Sequence, residues 1–305
     1  MDDPYPAICD YEGSDYQERF WERGGRAYED LAEAMALGRL LPPFGRRLLE
    51  VGAGAGRHTP RYHGFEEIVL LDYSRSQLEQ AQLRLGTSPR FRYVLADVYR
   101  MPFGPEAFDA ATMIRTLHHM TDPRGALVRV RRSLASGAVF ILEFASKRNL
   151  KAILRWWARR QSWNPFDPKT VEFTRLNFDF HPTTVEGWLT EARFHVEHRV
   201  PVSFFRLGLV KRTVPLPLLL AAERVLQRLG GAALVTPSVF LRARAVGDSL
   251  PAGASLWRCP ACDSLHLVES AAKVDCQDCG RAWPKSEGIY DFRPTPQRAS
   301  EPKPP

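Results

Sequence analysis

Short apolar runs alternate with stretches of helical periodicity in the first half of the chain. Five runs have the length and flanking residues of buried strands: 46–50, 67–72, 91–96, 108–114 and 138–143. Helical periodicity lies between them at 76–85 and 123–134. This alternation indicates a parallel sheet covered by helices on both faces. Further runs at 194–202 and 238–246 supply strands six and seven, so the pattern predicts an α/β fold with a seven-stranded, mostly parallel sheet.

The first predicted strand ends in Glu50 and opens into a turn with glycines at 52, 54 and 56. Glycine allows positive φ and lets a ligand approach the main chain closely. A helix starting near Gly56 would direct its unpaired N–H groups into the same space. Asp72 ends the second strand, 20 residues after Gly52, and Asp97 follows the third. In a Rossmann-like sheet a carboxylate at this spacing accepts hydrogen bonds from ribose hydroxyls, so the sequence predicts a nucleotide-cofactor enzyme.

Four motifs follow in order: Glu50-Val51-Gly52-Ala53-Gly54-Ala55-Gly56, Asp72, Ala96-Asp97-Val98 with Met101-Pro102-Phe103, and Phe108-Asp109 with Leu117-His118-His119-Met120-Thr121-Asp122-Pro123. As a set they resemble class I S-adenosylmethionine-dependent methyltransferases, in the branch similar to quinone-biosynthesis methyltransferases. The resemblance implies that the chain binds S-adenosylmethionine. It also implies these cofactor contacts: Glu50, Gly52, Ala53, Gly54, Gly56, Asp72, Tyr73, Asp97, Val98, Ile114, Arg115 and, from an N-terminal segment folded over the cofactor, Tyr16.

An NAD-dependent dehydrogenase is the competing interpretation of the glycine turn. Its fingerprint is usually G-x-G-x-x-G, and position 57 of this chain is Arg rather than Gly. The ordered set of motifs therefore favours the methyltransferase.

Two histidines follow the fourth predicted strand, at the edge of the expected pocket. Methyl transfer needs alignment and exclusion of water, and it needs a base only when the acceptor must lose a proton. His118 or His119 is a candidate for that base, although a histidine of the pocket wall or a helix cap is the more common case. Arg115 is a candidate partner for an acidic substrate, for the cofactor carboxylate or for Asp122.

The methyl acceptor stays open at this stage. A small molecule is favoured by the family branch and by the apolar segment 214–226. An RNA or protein acceptor is the alternative, and a non-catalytic cofactor-binding scaffold is a third.

Four of the five cysteines form two C-x2-C pairs, Cys259 with Cys262 and Cys276 with Cys279. Two such pairs complete the tetrahedral thiolate shell that Zn²⁺ prefers in closed structural sites. Residues 280–293 then resemble the zinc ribbon of the small partner protein that activates several tRNA and release-factor methyltransferases. We therefore predict a fused zinc ribbon with a structural rather than catalytic Zn²⁺. Cys9 is interpreted as an ordinary thiol.

The chain has 305 residues and a net charge of +7. A basic excess can favour nucleic acid, acidic substrates or anionic membranes. Residues 147–163 combine basic and aromatic side chains, and we favour an amphipathic lid there over a nucleic-acid surface. The apolar segment 216–226 is a candidate for a lipid-like substrate or for peripheral contact with a membrane, although core capping is more common.

These observations predict four parts of the chain. They are an N-terminal helical cap at 1–44, a methyltransferase domain at 45–247 with insertions at 145–180 and 203–237, the ribbon at 254–294, and a disordered tail at 295–305. No apolar stretch is long enough to span a membrane. Residues 1–4 are acidic with no apolar stretch, so we expect no secretory signal and a cytoplasmic location.

Overall fold

The computed structural model describes residues 25–247 and 255–294, together with Pro6, Glu12 and Gly13. Within these ranges the helices are α1 (Ala27–Leu40), α2 (Arg75–Leu85), α3 (Pro123–Ser133), α4 (Leu150–Trp157), α5 (Pro182–Glu191), α6 (Gly208–Thr213) and α7 (Leu216–Leu229). The strands are β1 (Gly45–Val51), β2 (Phe65–Asp72), β3 (Phe91–Leu95), β4 (Phe108–Met113), β5 (Leu134–Ala145), β6 (Val171–Thr174), β7 (Asn177–Asp179), β8 (Phe194–Val202), β9 (Ser238–Ala245), β10 (Leu267–Glu269), β11 (Lys273–Cys276), β12 (Ala282–Ser286) and β13 (Ile289–Asp291).

The main sheet has eleven strands in the order β10-β11-β12-β13-β3-β2-β1-β4-β5-β9-β8. Six consecutive strands, β13 to β5 in this order, are parallel. The α/β class with a large, mostly parallel sheet is thereby confirmed. The predicted count of seven strands is wrong, because the four strands of the C-terminal ribbon continue the same sheet through β13 and β3. Main-chain pairing of that kind is available at any sheet edge that nothing else covers.

The two faces of the sheet carry separate apolar clusters. Successive residues of a strand point to opposite faces. Leu48 accordingly packs with buried residues of α1 and α2, whereas Leu49 packs with those of α3 and α5. The sheet is therefore covered on both sides, and its carboxyl-terminal edge is the place left for a pocket.

The helix expected near Gly56 is absent. The chain instead makes turns and one short 3-10 segment, Thr59–Arg61. An α-helix from Gly56 would need an N–H at position 60, and Pro60 has none. The segment turns so that the hydroxyls of Thr59 and Tyr62 reach Glu50.

The two predicted insertions have defined structure. Residues 145–180 contain α4 and the β6–β7 hairpin, and residues 203–237 contain α6 and α7. The described part of the predicted N-terminal cap forms α1, whereas Tyr16 lies outside the described residues. In the described part of the chain, no helix combines the length and apolar character that crossing a bilayer requires.

Candidate functional site

A pocket opens at the carboxyl ends of β1, β2, β3 and β4, where α/β sheets commonly bind ligands. It holds about 1150 Å³ of empty space, its open mouth included. That is enough for a cofactor of nucleotide size. The lining residues are Glu50, Val51, Gly52, Ala53, Gly54, Ala55, Arg57, His58, Leu71, Asp72, Tyr73, Gln77, Ala96, Val98, Thr112, Ile114, Arg115, Thr116, His119 and Met120.

The glycine turn forms one wall of this pocket. The N–H groups of Gly52 and Ala53 both donate to the carbonyl of Leu71, at 2.8 and 3.0 Å. Gly52 has φ +68°, and a Cβ there would lie 2.2 Å from Oγ1 of Thr116. Only glycine fits this position, so the turn stays close to the strand ends and leaves the pocket open.

Asp72 is fixed against the same turn. Its Oδ2 accepts the N–H of Gly54 at 2.7 Å, and its Oδ1 accepts the N–H of Ser74 at 3.0 Å. A carboxylate oxygen can accept more than one hydrogen bond. The side chain is therefore pre-oriented at the pocket wall with acceptor capacity for a ligand's hydroxyl groups.

A buried carboxylate on α1 holds two arginines of the pocket wall. Glu33 is fully buried, and it accepts from Nε of Arg115 at 2.8 Å and from Nη2 of Arg57 at 2.7 Å. Burial acts to raise the pKa of Glu33, but the charges of Arg115 and Arg57 outweigh it and hold that pKa well below its usual range. Arg115 therefore pairs with Glu33 rather than with Asp122, whose carboxylate caps α3 at Gly125.

Two further features concern Arg115 and His58, both of which lie within ion-pair distance of Glu33. Arg115 has φ +59°, a conformation that non-glycine residues hold only when surrounding contacts impose it. Its N–H donates to the buried carboxylate of Glu143 at 2.9 Å. Burial and the charge of Arg57 lower the pKa of His58 to about 3, so this ring is neutral in the pocket wall.

Glu50 lies at the buried end of β1, and its carboxylate accepts from the hydroxyls of Thr59 at 2.6 Å and Tyr62 at 3.1 Å. Burial raises the pKa of Glu50 to about 7, despite these bonds. Between about pH 4.5 and pH 7, Glu50 of the folded chain therefore keeps a proton that the unfolded chain, with an ordinary pKa near 4.5, has lost. This contribution to stability is complete below the ordinary pKa and is lost as pH rises through about 7.

We predict the consequence for a Glu50→Gln variant. Relative to this variant, the wild type should lose about 3 kcal/mol of unfolding free energy as pH rises from about 5 to about 8. Urea unfolding at several pH values measures this difference, and Glu66→Gln, at an exposed position of β2, serves as the control. Parallel pH profiles for wild type and Glu50→Gln would contradict the assignment.

The two candidate histidines differ in position. His119 lines the pocket, and its Nδ1 lies 3.2 Å from the carbonyl of Leu176. A carbonyl only accepts, so Nδ1 carries the proton and Nε2 is the basic nitrogen of the neutral ring. Burial lowers the pKa of His119. His118 packs against it with ring centroids 4.1 Å apart, but His118 does not line the pocket.

Two other predicted contacts also lie off the pocket wall. Asp97 is buried and caps the short turn that follows it, because its Oδ1 accepts the N–H of Tyr99 at 2.8 Å. Gly56 approaches α2, where an added Cβ would lie 2.9 Å from Leu85. Five residues at or beside the pocket were not predicted from the sequence: Glu33, Arg57, His58, Gln77 and Thr116. Arg57, His58 and Thr116 adjoin predicted motifs along the chain, whereas Glu33 and Gln77 do not.

The four C-terminal cysteines meet at one point. Their Sγ atoms all lie within 4.8 Å of one another, and two measured pairs, Cys259–Cys279 and Cys262–Cys276, are 3.7 and 3.6 Å apart. Four thiolates about 2.3 Å from a tetrahedral Zn²⁺ would be ~3.8 Å apart. The geometry therefore fits a zinc ion.

Both cysteine pairs sit on the same kind of turn. The carbonyl of Cys259 accepts the N–H of Asp263 at 2.9 Å, and that of Cys276 accepts the N–H of Gly280 at 3.0 Å. Asp263 and Gly280 both have positive φ, of 59° and 69°. The repeated turn explains how each C-x2-C pair presents both sulfurs to one point.

The ribbon is bound to the main sheet by main-chain and side-chain contacts. Tyr290 pairs with Val94 in the β13–β3 ladder, and its hydroxyl accepts from Arg92 at 2.7 Å. The rings of Trp257 and Tyr290 lie 4.9 Å apart within the same apolar cluster as β3. The four cysteines therefore lie in a unit that is joined to an edge of the sheet, and they do not line the pocket.

Comparison with known proteins supports the class predicted from the motifs, a methyltransferase. Residues 49–142 match the methyltransferase domain family. The chain is 31% identical over 109 residues to an O-methyltransferase of Penicillium expansum, covering 34% of this chain and 40% of that protein. It is 32% identical over 173 residues to the demethylmenaquinone methyltransferase of Clavibacter sepedonicus, covering 52% of this chain and 69% of that protein. The chain thus spans less than half the length of the fungal relative.

Among solved structures, the fold is similar to a chain in the complex of the Haloferax volcanii Trm112 methyltransferase activator with a methyltransferase. The TM-score is 0.53 at 14% identity, over 77% of this chain and 96% of that chain. At this identity the likeness concerns the fold. The sheet, the pocket and the relatives together define a Rossmann-like methyltransferase. The chain belongs to the class I S-adenosylmethionine-dependent methyltransferase family, which confirms the family predicted from the motifs.

Proposed function

We propose that this chain binds S-adenosylmethionine in the pocket and transfers its methyl group to a small-molecule acceptor. The main support for the proposal is the hydrogen bond from the N–H of Gly54 to the carboxylate of Asp72. This bond holds the predicted ribose acceptor against the glycine turn in one cavity. The bound cofactor supplies an activated methyl group, and the chain's residues hold and orient it.

The lining residues divide into three groups by chemistry. Asp72 would accept the ribose hydroxyls. Ala96 and Val98 offer an apolar wall for the adenine, as the motif resemblance implies. Arg57 and Arg115 place guanidinium groups in the pocket lining, where they would face the cofactor carboxylate. The contacts expected of Asp97, Gly56, His118 and Tyr16 stay predictions.

An Asp72→Asn variant tests the cofactor site. It should weaken binding of S-adenosylhomocysteine by about 1.5–3 kcal/mol, the range for hydrogen bonds to charged groups. Calorimetry measures this loss. The matched control is Asp109→Asn, because the Asp109 carboxylate also accepts two backbone N–H groups, from Arg46 and Arg47, but lies at the amino end of β4. Equal affinity in wild type and Asp72→Asn would remove Asp72 from the site.

We place the acceptor beside His119, since this histidine reaches the pocket wall and His118 does not. The relatives are named as an O-methyltransferase and a demethylmenaquinone methyltransferase, which supports an organic small molecule. With methyl-labelled cofactor and crude extracts, we expect label in the small-molecule fraction. For an acceptor that loses a proton, His119→Asn should reduce the rate about 10²-fold or more under the same conditions, the usual range for acid–base groups. Label confined to RNA or protein would favour the alternative acceptors.

We propose one structural Zn²⁺ held by Cys259, Cys262, Cys276 and Cys279. Four protein thiolates leave no position for a substrate, so the ion serves folding. We further propose that the ribbon replaces a separate activator subunit. The fold's likeness to a chain from an activator complex and the β13–β3 pairing support this idea.

A further inference from the structure

Helix α4 carries an apolar stripe on its outer side. Leu150, Leu154 and Trp157 recur at helical spacing, with 57%, 52% and 66% of their surfaces exposed. Ala152 and Ile153 on the inner side are buried. The helix is therefore apolar on both sides, although packing against the domain accounts for only one of them.

The segment around this stripe is strongly basic. Residues 147–175 contain eight Lys or Arg and two acidic residues, a net +6 of the chain's +7. Lys151, Arg155, Arg159 and Arg160 are exposed. None of these four has a carboxylate within ion-pair distance in residues 25–247 or 255–294. The positive charge is thus available to an outside partner.

We infer that α4 and its flanking basic residues form a docking surface for a membrane rich in anionic phospholipid. An amphipathic helix with basic flanks lies in the interface plane, where apolar side chains enter the acyl boundary and cations meet the headgroups. Trp157 has the side chain that membrane interfaces favour. Two of the three stripe residues are leucines, which favours lipid, because single-stranded nucleic acid is held by a basic groove together with aromatic rings on which the bases stack.

The docking surface is connected to the pocket. Helix α4 begins five residues after β5, and its segment continues to Leu176, whose carbonyl contacts His119 in the pocket wall. A membrane bound at α4 would therefore contact the same insertion that reaches the pocket wall at Leu176. The idea that the membrane delivers a lipid-soluble acceptor to the pocket rests on the proposed function. The docking of α4 on the membrane does not.

Co-sedimentation with vesicles tests the inference in the absence of cofactor. The full-length wild type should bind vesicles of mixed phosphatidylglycerol and phosphatidylcholine, bind pure phosphatidylcholine weakly, and dissociate as salt rises. Leu154→Ser combined with Trp157→Ser should weaken binding about tenfold or more, since burying each side chain is favourable. Lys151→Gln combined with Arg155→Gln should weaken it and flatten the salt dependence.

The matched control is Phe44→Ser combined with Arg46→Gln. Phe44 is 77% exposed and Arg46 is exposed, but both lie at the amino end of β1, on the opposite edge of the sheet. Control binding should equal wild type, and thermal unfolding verifies that every variant is folded. The inference of docking at α4 is overturned if the wild type does not bind anionic vesicles. It is also overturned if both α4 variants bind as strongly as the control. Variant-sensitive binding to single-stranded RNA without vesicle binding would make the surface a nucleic-acid site instead.

Discussion

A Cys276→Ser variant is expected to lose the zinc ion and several kcal/mol of stability. Structural zinc contributes about 10–16 kcal/mol to the folding of small zinc-finger peptides, which sets the upper end of the scale. The loss should spread beyond the ribbon, because Cys276 is buried and β13 pairs with β3 of the main sheet. Elemental analysis should find one zinc per wild-type chain and less in the variant, and thermal unfolding should show a clearly lower Tm.

Cys9→Ser is the control for this experiment, since Cys9 is the fifth cysteine and lies outside the two C-x2-C pairs of the sequence. It should keep both the metal content and the Tm of the wild type. Unchanged zinc content in Cys276→Ser would disprove the four-cysteine site. Loss of zinc without any change in Tm would show that the metal does not stabilise the sheet edge.

Gly54→Ala is expected to weaken cofactor binding about tenfold or more while leaving the chain folded. Gly54 has φ +52°, and an added Cβ would meet only Oε1 of Gln77, at 3.7 Å. Both residues line the pocket, so the new methyl group would enter space that the cofactor needs. Folding should lose only the cost of holding alanine at positive φ, about 1–2 kcal/mol.

Gly137→Ala separates that conformational cost from the effect on binding. Gly137 has φ +78° with no atom within 4 Å of an added Cβ, and it lies in β5 outside the pocket lining. Both variants should lose similar stability in urea unfolding, but only Gly54→Ala should lose affinity for S-adenosylhomocysteine in calorimetry. Equal affinity for the two variants would mean that the cofactor does not approach Gly54.

Local features of the fold were predictable from the sequence. The strands of the first half end within a few residues of the predicted positions, because each is an apolar run bounded by polar residues or a turn. Asp72 was predicted from its spacing after the glycine turn, and the structure places both in one pocket. The paired cysteines were predicted from C-x2-C spacing, which specifies its own turn.

Features that depend on distant partners were not predictable in the same way. Glu33 meets Arg115 across 82 residues, and no local pattern marks a helix glutamate as the partner of a pocket arginine. Arg92 meets Tyr290 across 198 residues, in the strand pairing that extends the sheet to eleven strands. The cap that the Asp97 carboxylate forms on the following turn was also not predicted, and its contact with the cofactor stays a prediction.

The central claim is that the pocket between the glycine turn and Asp72 binds S-adenosylmethionine rather than a nicotinamide cofactor. Calorimetric titration of the intact wild-type chain with S-adenosylhomocysteine, and in parallel with NAD, tests it most directly. We expect saturable binding of one S-adenosylhomocysteine per chain and no measurable heat with NAD. Binding of NAD, or no binding of S-adenosylhomocysteine by folded, zinc-loaded protein, would contradict it.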